Sequence, residues 1–140
     1  MAAQTQGRIK TRHAPLVAMV AQRHRADCGA AVLAMLLHVS YEEALLALGE
    51  SVPTMLRDGV WCTELTKAAA RFGVTLKRKA VWDVEADEGI VRVSFKRGEG
   101  HVVLLRAGLI FDTDFTVWEC DDWLKAKRAK AGALLARVDA

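Results

Sequence analysis

Residues 22–31 read QRHRADCGAA and set a thiol, Cys28, at the first turn of a segment whose apolar pattern predicts a buried helix. A free thiol ionises near about pH 8.5, and the open N–H groups and partial positive charge at a helix start favour its thiolate. Cys28 is therefore placed as a nucleophile that needs a base. Gly29 leaves room for a substrate backbone, the Cys28 N–H supplies one donor to a developing oxyanion, and the amide of Gln22 upstream offers a second. A base stands later in the chain, where His101 opens the strand-like run HVVLL. Ala107-Gly108 fits a two-residue hairpin turn, so Arg106 faces Leu109, Val103 faces Asp112 and His101 faces Asp114. Both aspartates share the histidine's face of the sheet, Asp114 directly opposite and Asp112 on the diagonal at roughly 7–8 Å. The residues alone leave both open as the acid that orients the imidazole.

Other chemistry finds less support. The cysteines number three (Cys28, Cys62 and Cys120) and contain no C-x-x-C pair, so neither a disulfide framework nor a zinc ribbon is expected. A reducing, cytoplasmic setting is the simpler expectation. Cys62 and Cys120 read as small hydrophobes. His24 and Cys28 have helical i, i+4 spacing, but no second pair lies at ligand spacing, and no metal is expected. His13 and His38 carry no case. Lys125, Lys127, Arg128 and Lys130 read as a solvated helix face. The four tryptophans read as core or groove walls.

The elements that must position this set follow from periodicity. Asp27 can cap a first helix, in which Ala31, Val32, Met35 and Leu36 recur at helical spacing. That helix is apolar nearly all round and should be central. Ser40 and Glu43 form a capping box opening a second helix, through Leu48 and ended by Gly49. Pro53 and Asp58-Gly59 mark a loop. Trp61, Leu65, Ala68, Ala69 and Phe72 then trace a third helix closed by Gly73. From there strands are expected at 74–81, 90–95, 101–106, 109–111 and 134–138, with a charged helical segment at 121–130 before the last. Helices first and antiparallel strands second make a two-layer α+β domain, N-terminal helices packed on a C-terminal antiparallel β-sheet.

With 140 residues, 52% of them apolar, the chain can bury one core and has no room for a second domain. The expected division is a flexible basic segment at 1–13 and a single domain at 14–140. Arg8, Lys10 and Arg12 before the apolar stretch 14–21 weakly imitate a secretory signal, but the stretch is short, contains Pro15 and lacks a small-residue cleavage site. No run approaches the roughly 20 apolar residues of a membrane span. A net charge of +3, with both signs spread along the chain, does not imply nucleic acid as a partner.

The run of Gln22, Asp27, Cys28, Gly29 and the apolar residues 31–35 resembles the cysteine motif of the bacteriocin-processing peptidases. These are papain-like domains that cut after a double glycine and are best known at the N-termini of peptide-exporting ABC transporters. Residues 59–73 (GVWCTELTKAAARFG) are similar to that family's second helical block, and Gly100-His101-Val102-Val103-Leu104 to its histidine strand. The likeness spans about residues 15–140. It implies a papain-like fold, with Gln22 as oxyanion residue, Cys28 as nucleophile and His101 as base. It favours Asp112 over Asp114 as orienter, because Asp112-Thr113 stands where the family has Asp-Pro; Thr113 in place of proline is a departure. The implied activity is hydrolysis of a peptide or protein through a Cys28 acyl-enzyme, after small residues such as Gly-Gly, without cofactor or metal. The alternative is a papain-like binding module without turnover, in a regulatory, immunity or virion setting.

Overall fold

The computed structural model describes residues 4–5 and 17–138. Helix α1 (Cys28–Leu37) is buried from Gly29 to Leu36, as its all-round apolar surface requires. It stops at His38, whose left-handed φ of 57° turns the chain and whose N–H bonds to the Ala34 carbonyl. Helix α2 (Tyr41–Leu48) opens on the expected capping box: Glu43 N–H donates to Ser40 Oγ and Ser40 N–H to Glu43 Oε1, each at 3.0 Å. After Gly49 and one 3-10 turn, the expected loop at Pro53 is instead a helix, α3 (Val52–Asp58). Proline is tolerated in a first helical turn, where its missing N–H has no partner to lose, and buried Met55 anchors the segment to the core. Gly59, at φ 83°, ends α3 and leads into α4 (Cys62–Ala70).

The remaining chain forms a seven-stranded sheet in the order β1 (Gln4–Thr5), β6 (Thr116–Glu119), β5 (Leu109–Phe111), β4 (Gly100–Arg106), β3 (Gly89–Phe95), β7 (Ala129–Arg137) and β2 (Leu76–Lys79). Every pairing is antiparallel except the short parallel contact of β1 with β6. Gln4–Thr5 thus joins the sheet edge, while the rest of the 1–13 segment lies outside the described residues. Strand β6 was not expected from the sequence. The charged segment is a shorter helix, α5 (Cys120–Lys127), because Arg128 turns left-handed and the last strand begins at Ala129.

Two cores follow from the alternation of side chains across the sheet. Ile90, Val102, Leu104, Leu109, Phe111 and Leu135 pack beneath α1, α2 and α4. Val91, Val93, Val103, Leu105, Ile110 and Leu134 pack on the opposite face around Trp123 of α5. The molecule is thus an α+β arrangement of N-terminal helices on a C-terminal antiparallel sheet.

The β4–β5 hairpin turns at Ala107 and Gly108, both with positive φ (51° and 78°), which matches the twist of the strands it joins. Its register pairs Arg106 with Leu109, Leu105 with Ile110 and Leu104 with Phe111. On β4's other side His101 pairs with Val93. The hairpin therefore carries His101 at the start of one strand and Asp112 just past the end of the next.

Candidate active site

Cys28 is the first residue of α1, half-buried, and lines an open cleft of about 320 Å³ together with Gly59, Trp61, Arg92, Gly100 and His101. One wall comes from the segment between α3 and α4, the other from Arg92 in the middle of β3 and the start of β4. Gly29 is buried beside Cys28, and a Cβ there would lie 2.5 Å from Val60 Cγ2. Glycine is required here by close packing of α1 against the 59–61 wall rather than by substrate approach alone.

The imidazole of His101 sits at the cleft with its side chain 16% exposed, and its Nε2 lies 3.0 Å from Asp112 Oδ1. Cys28 lines the same cleft, and its thiol is one of the groups that raise the His101 pKa, while Nδ1 is the ring nitrogen that Asp112 leaves open. Burial works to lower the pKa of His101, but the hydrogen bonds to Asp112 and Cys28 and the negative charge of both prevail and push it up to about 9. For Asp112, burial acts to raise the pKa, yet the His101 contact and the N–H groups of Thr113 and Trp123 hold the carboxyl below its ordinary range. Asp112 is 5% exposed and fully engaged: Oδ1 also accepts from Thr113 N–H at 2.7 Å, and Oδ2 accepts from Trp123 Nε1 at 3.0 Å. The ring of Phe95 flanks both His101 and Trp123, at centroid distances of 5.8 and 6.4 Å. The pair is thus held in a largely apolar wall in which its hydrogen bonds are strong.

Asp114, the other aspartate on this face, is turned away: its Oδ1 accepts from Thr116 N–H at 3.2 Å and from the Thr116 hydroxyl. The tight turn does this, since Asp112 N–H closes on the Thr116 carbonyl at 2.9 Å and Phe115 is left-handed.

Gln22 lies outside the cleft lining but is tied to the same turn. Its backbone N–H donates to the Thr113 carbonyl at 3.0 Å, the Thr113 hydroxyl donates to its Oε1, and its Nε2 donates to the His24 carbonyl at 2.8 Å. Asp27, expected to cap α1, makes no side-chain cap; its carboxylate bends back to accept from the N–H groups of Arg23 (3.1 Å) and His24 (3.0 Å) and from the Tyr41 hydroxyl (2.6 Å). Burial and the Asp27 bond push Tyr41 up to about 12, so it remains a donor throughout the neutral range. The loop from Gln22 to Asp27 is thereby fastened from both sides.

Trp123, Thr113 and the Asp27–Tyr41 bond were not singled out from the sequence as parts of the site. No local signal could have found the Trp123 bond to Asp112 or the Thr113 bond to Gln22, whose partners lie 11 and 91 residues apart. The other thiols also begin helices but do not line the cleft with His101: Cys62 is half-buried at the start of α4, and Cys120 is buried at the start of α5, where burial and nearby carboxylates push it up to about 11. Among the described residues no group of three or more His, Cys, Asp or Glu side chains is arranged to hold a metal ion, and no single helix is long and apolar enough to cross a membrane.

No family model and no curated protein matches the chain. Among solved structures it is similar to a double glycine motif protease from an AMS/PCAT transporter, crystallised in complex with the leader peptide. The identity is 18%, the TM-score 0.56, and the match covers 91% of this chain and 96% of the other. At that identity the likeness speaks for the fold alone, and the chain has an α+β papain-like fold.

Proposed function

We propose that the protein is a cysteine peptidase, a single catalytic domain at 14–140, in which Cys28 is the nucleophile, His101 its base, Asp112 the orienting acid and Gln22 an oxyanion donor. The observation that carries this reading is the meeting of the Cys28 thiol, at the mouth of a buried helix and open to a cleft, with an imidazole whose far nitrogen is held by a buried carboxylate. His101 Nδ1 takes the thiol proton, and the sulfur forms a bond to the carbonyl carbon of the scissile amide. The oxygen that gains charge is met by the Cys28 N–H and the Gln22 amide. The C–N bond breaks as the amine leaves with the proton from His101, giving a thioester on Cys28. Water, deprotonated by His101, then releases the carboxylic acid and the thiol. Asp112 keeps the imidazole in the tautomer with hydrogen on Nε2 and stabilises its cation.

The substrate class follows by likeness to the double glycine motif protease: a peptide with small residues such as Gly-Gly before the cut. The three cysteines are free, which suits a reducing, cytoplasmic setting, and the chemistry needs no cofactor. The test is hydrolysis of a fluorogenic Gly-Gly peptide amide by the full chain. Turnover that disappears in Cys28→Ala and His101→Ala supports the reading and excludes a silent binding module; turnover retained in Cys28→Ala, or none by the unaltered chain on any small-residue peptide, refutes it.

A further inference from the structure

The least expected feature of the site is Thr113, a residue 2% exposed that bonds in three directions at once. Its N–H reaches Asp112 Oδ1, its carbonyl receives the Gln22 backbone N–H, and its hydroxyl donates to Gln22 Oε1. The chemistry of the partners fixes the direction of that last bond. The His24 carbonyl only accepts, so the carboxamide must turn its nitrogen to His24 and its oxygen to Thr113, which then has to be the donor. The His24 carbonyl is itself held, because the adjoining N–H groups of Arg23 and His24 are tied to the Asp27 carboxylate. The Gln22 amide is therefore gripped at both ends, and the second N–H hydrogen of Nε2 is the one left to offer.

We propose that Thr113 is a positioning residue that latches the Gln22 carboxamide with its oxygen on the threonine and its nitrogen as the donor, and that it couples the oxyanion donor to the turn carrying Asp112. The proposal rests on the peptidase reading above. Without the hydroxyl, the amide oxygen loses its donor, and the side chain is free to rotate or to invert and present a lone pair where an N–H is needed. The backbone N–H to Asp112 is unaffected by that loss, so thiolate formation at Cys28 and stabilisation of the oxyanion separate experimentally.

The test uses Thr113→Val, which exchanges the hydroxyl for a methyl, and Thr113→Ser, which keeps the hydroxyl and loses the methyl, in the full chain and in a Gln22→Ala background. Hydrolysis of the Gly-Gly peptide amide is compared with alkylation of Cys28 by iodoacetamide, a displacement at carbon that forms no oxyanion. Thr113→Val is expected to lower kcat about tenfold, part of the effect of losing an oxyanion donor outright, with KM and the alkylation rate unchanged. Thr113→Ser is expected to restore most of the loss, and Thr113→Val to add nothing once Gln22 is alanine. Full activity of Thr113→Val, an undiminished Val effect in the Gln22→Ala background, a parallel fall in alkylation, or Gln22→Ala acting at the normal rate would each overturn the proposal. If Cys28→Ala still hydrolyses the peptide, the peptidase reading falls and this one with it; if Cys28→Ala is inert while the threonine variants behave otherwise than expected, only the latch is lost.

Discussion

Replacing Asp112 with asparagine changes one atom and sets every partner of that side chain in conflict. The carboxylate accepts from His101, Thr113 and Trp123, and the tryptophan and backbone N–H groups can only donate. If the amide oxygen faces His101 and Thr113, its NH₂ meets the Trp123 N–H head-on. If it faces Trp123, the NH₂ meets the Thr113 N–H, and His101 has to shift its proton to Nδ1, the nitrogen that should receive the Cys28 proton. The rise of His101 from 6.5 to about 9 corresponds to about 3 kcal/mol favouring the imidazolium, drawn from Asp112 and Cys28 together. The hydrogen bond to Asp112 is the largest of the causes that raise it, so Asp112→Asn lowers the His101 pKa and removes a part of that energy from the cation. Tautomer reversal adds to this, and kcat is expected to drop by about 100-fold or more. NMR titration of the His101 ring, read beside the pH profile of hydrolysis, measures both. A variant whose His101 titrates as before and whose kcat stays within about threefold would refute the assignment of Asp112 as orienter.

The pH dependence of stability follows from the same pair. His101 is raised, so its contribution is complete below about 6.5 and is lost as pH climbs through about 9; Asp112 is lowered, so its contribution is present above 3.8 and fades as pH falls below that. Thermal unfolding against pH should show both slopes in the unaltered chain and a flattened alkaline slope in His101→Ala; an unchanged alkaline slope would count against the ion pair. Tyr41→Phe leaves the buried Asp27 carboxylate short of a donor and should cost about 1–3 kcal/mol by urea unfolding, a loss below about 0.5 kcal/mol arguing against a structural role for that bond. Gly29→Ala drives a methyl into Val60 and should destabilise by about 1–3 kcal/mol while slowing Cys28 alkylation; a variant unchanged in both would show that the 59–61 wall yields freely.

What the sequence disclosed was local or periodic. The start of α1 at Cys28, the Ser40–Glu43 box and the hairpin at Ala107-Gly108 all depend on residues within a turn of one another, and the hairpin register placed His101 and the two aspartates on one face. The choice between them was out of reach of the pattern, because strand β5 ends at Phe111 and the turn through left-handed Phe115 swings Asp114 toward Thr116. Pro53 read as a loop because proline punctuates most helices, yet at a first turn it starts one. Strand β6 is four residues long and leads straight into α5, too short for alternation to show. The partners that steady the site, Trp123 on Asp112 and Thr113 on Gln22, come together only when the sheet is assembled.

The most direct measurement is the rate at which iodoacetamide modifies each cysteine, resolved by peptide mapping, with Cys62 and Cys120 as internal controls. An imidazolium beside a thiol at a helix start predicts that Cys28 reacts at least tenfold faster than either control near neutral pH, and that His101→Ala removes this advantage. Equal rates at Cys28 and Cys62, or a fast Cys28 indifferent to the loss of His101, would contradict the account.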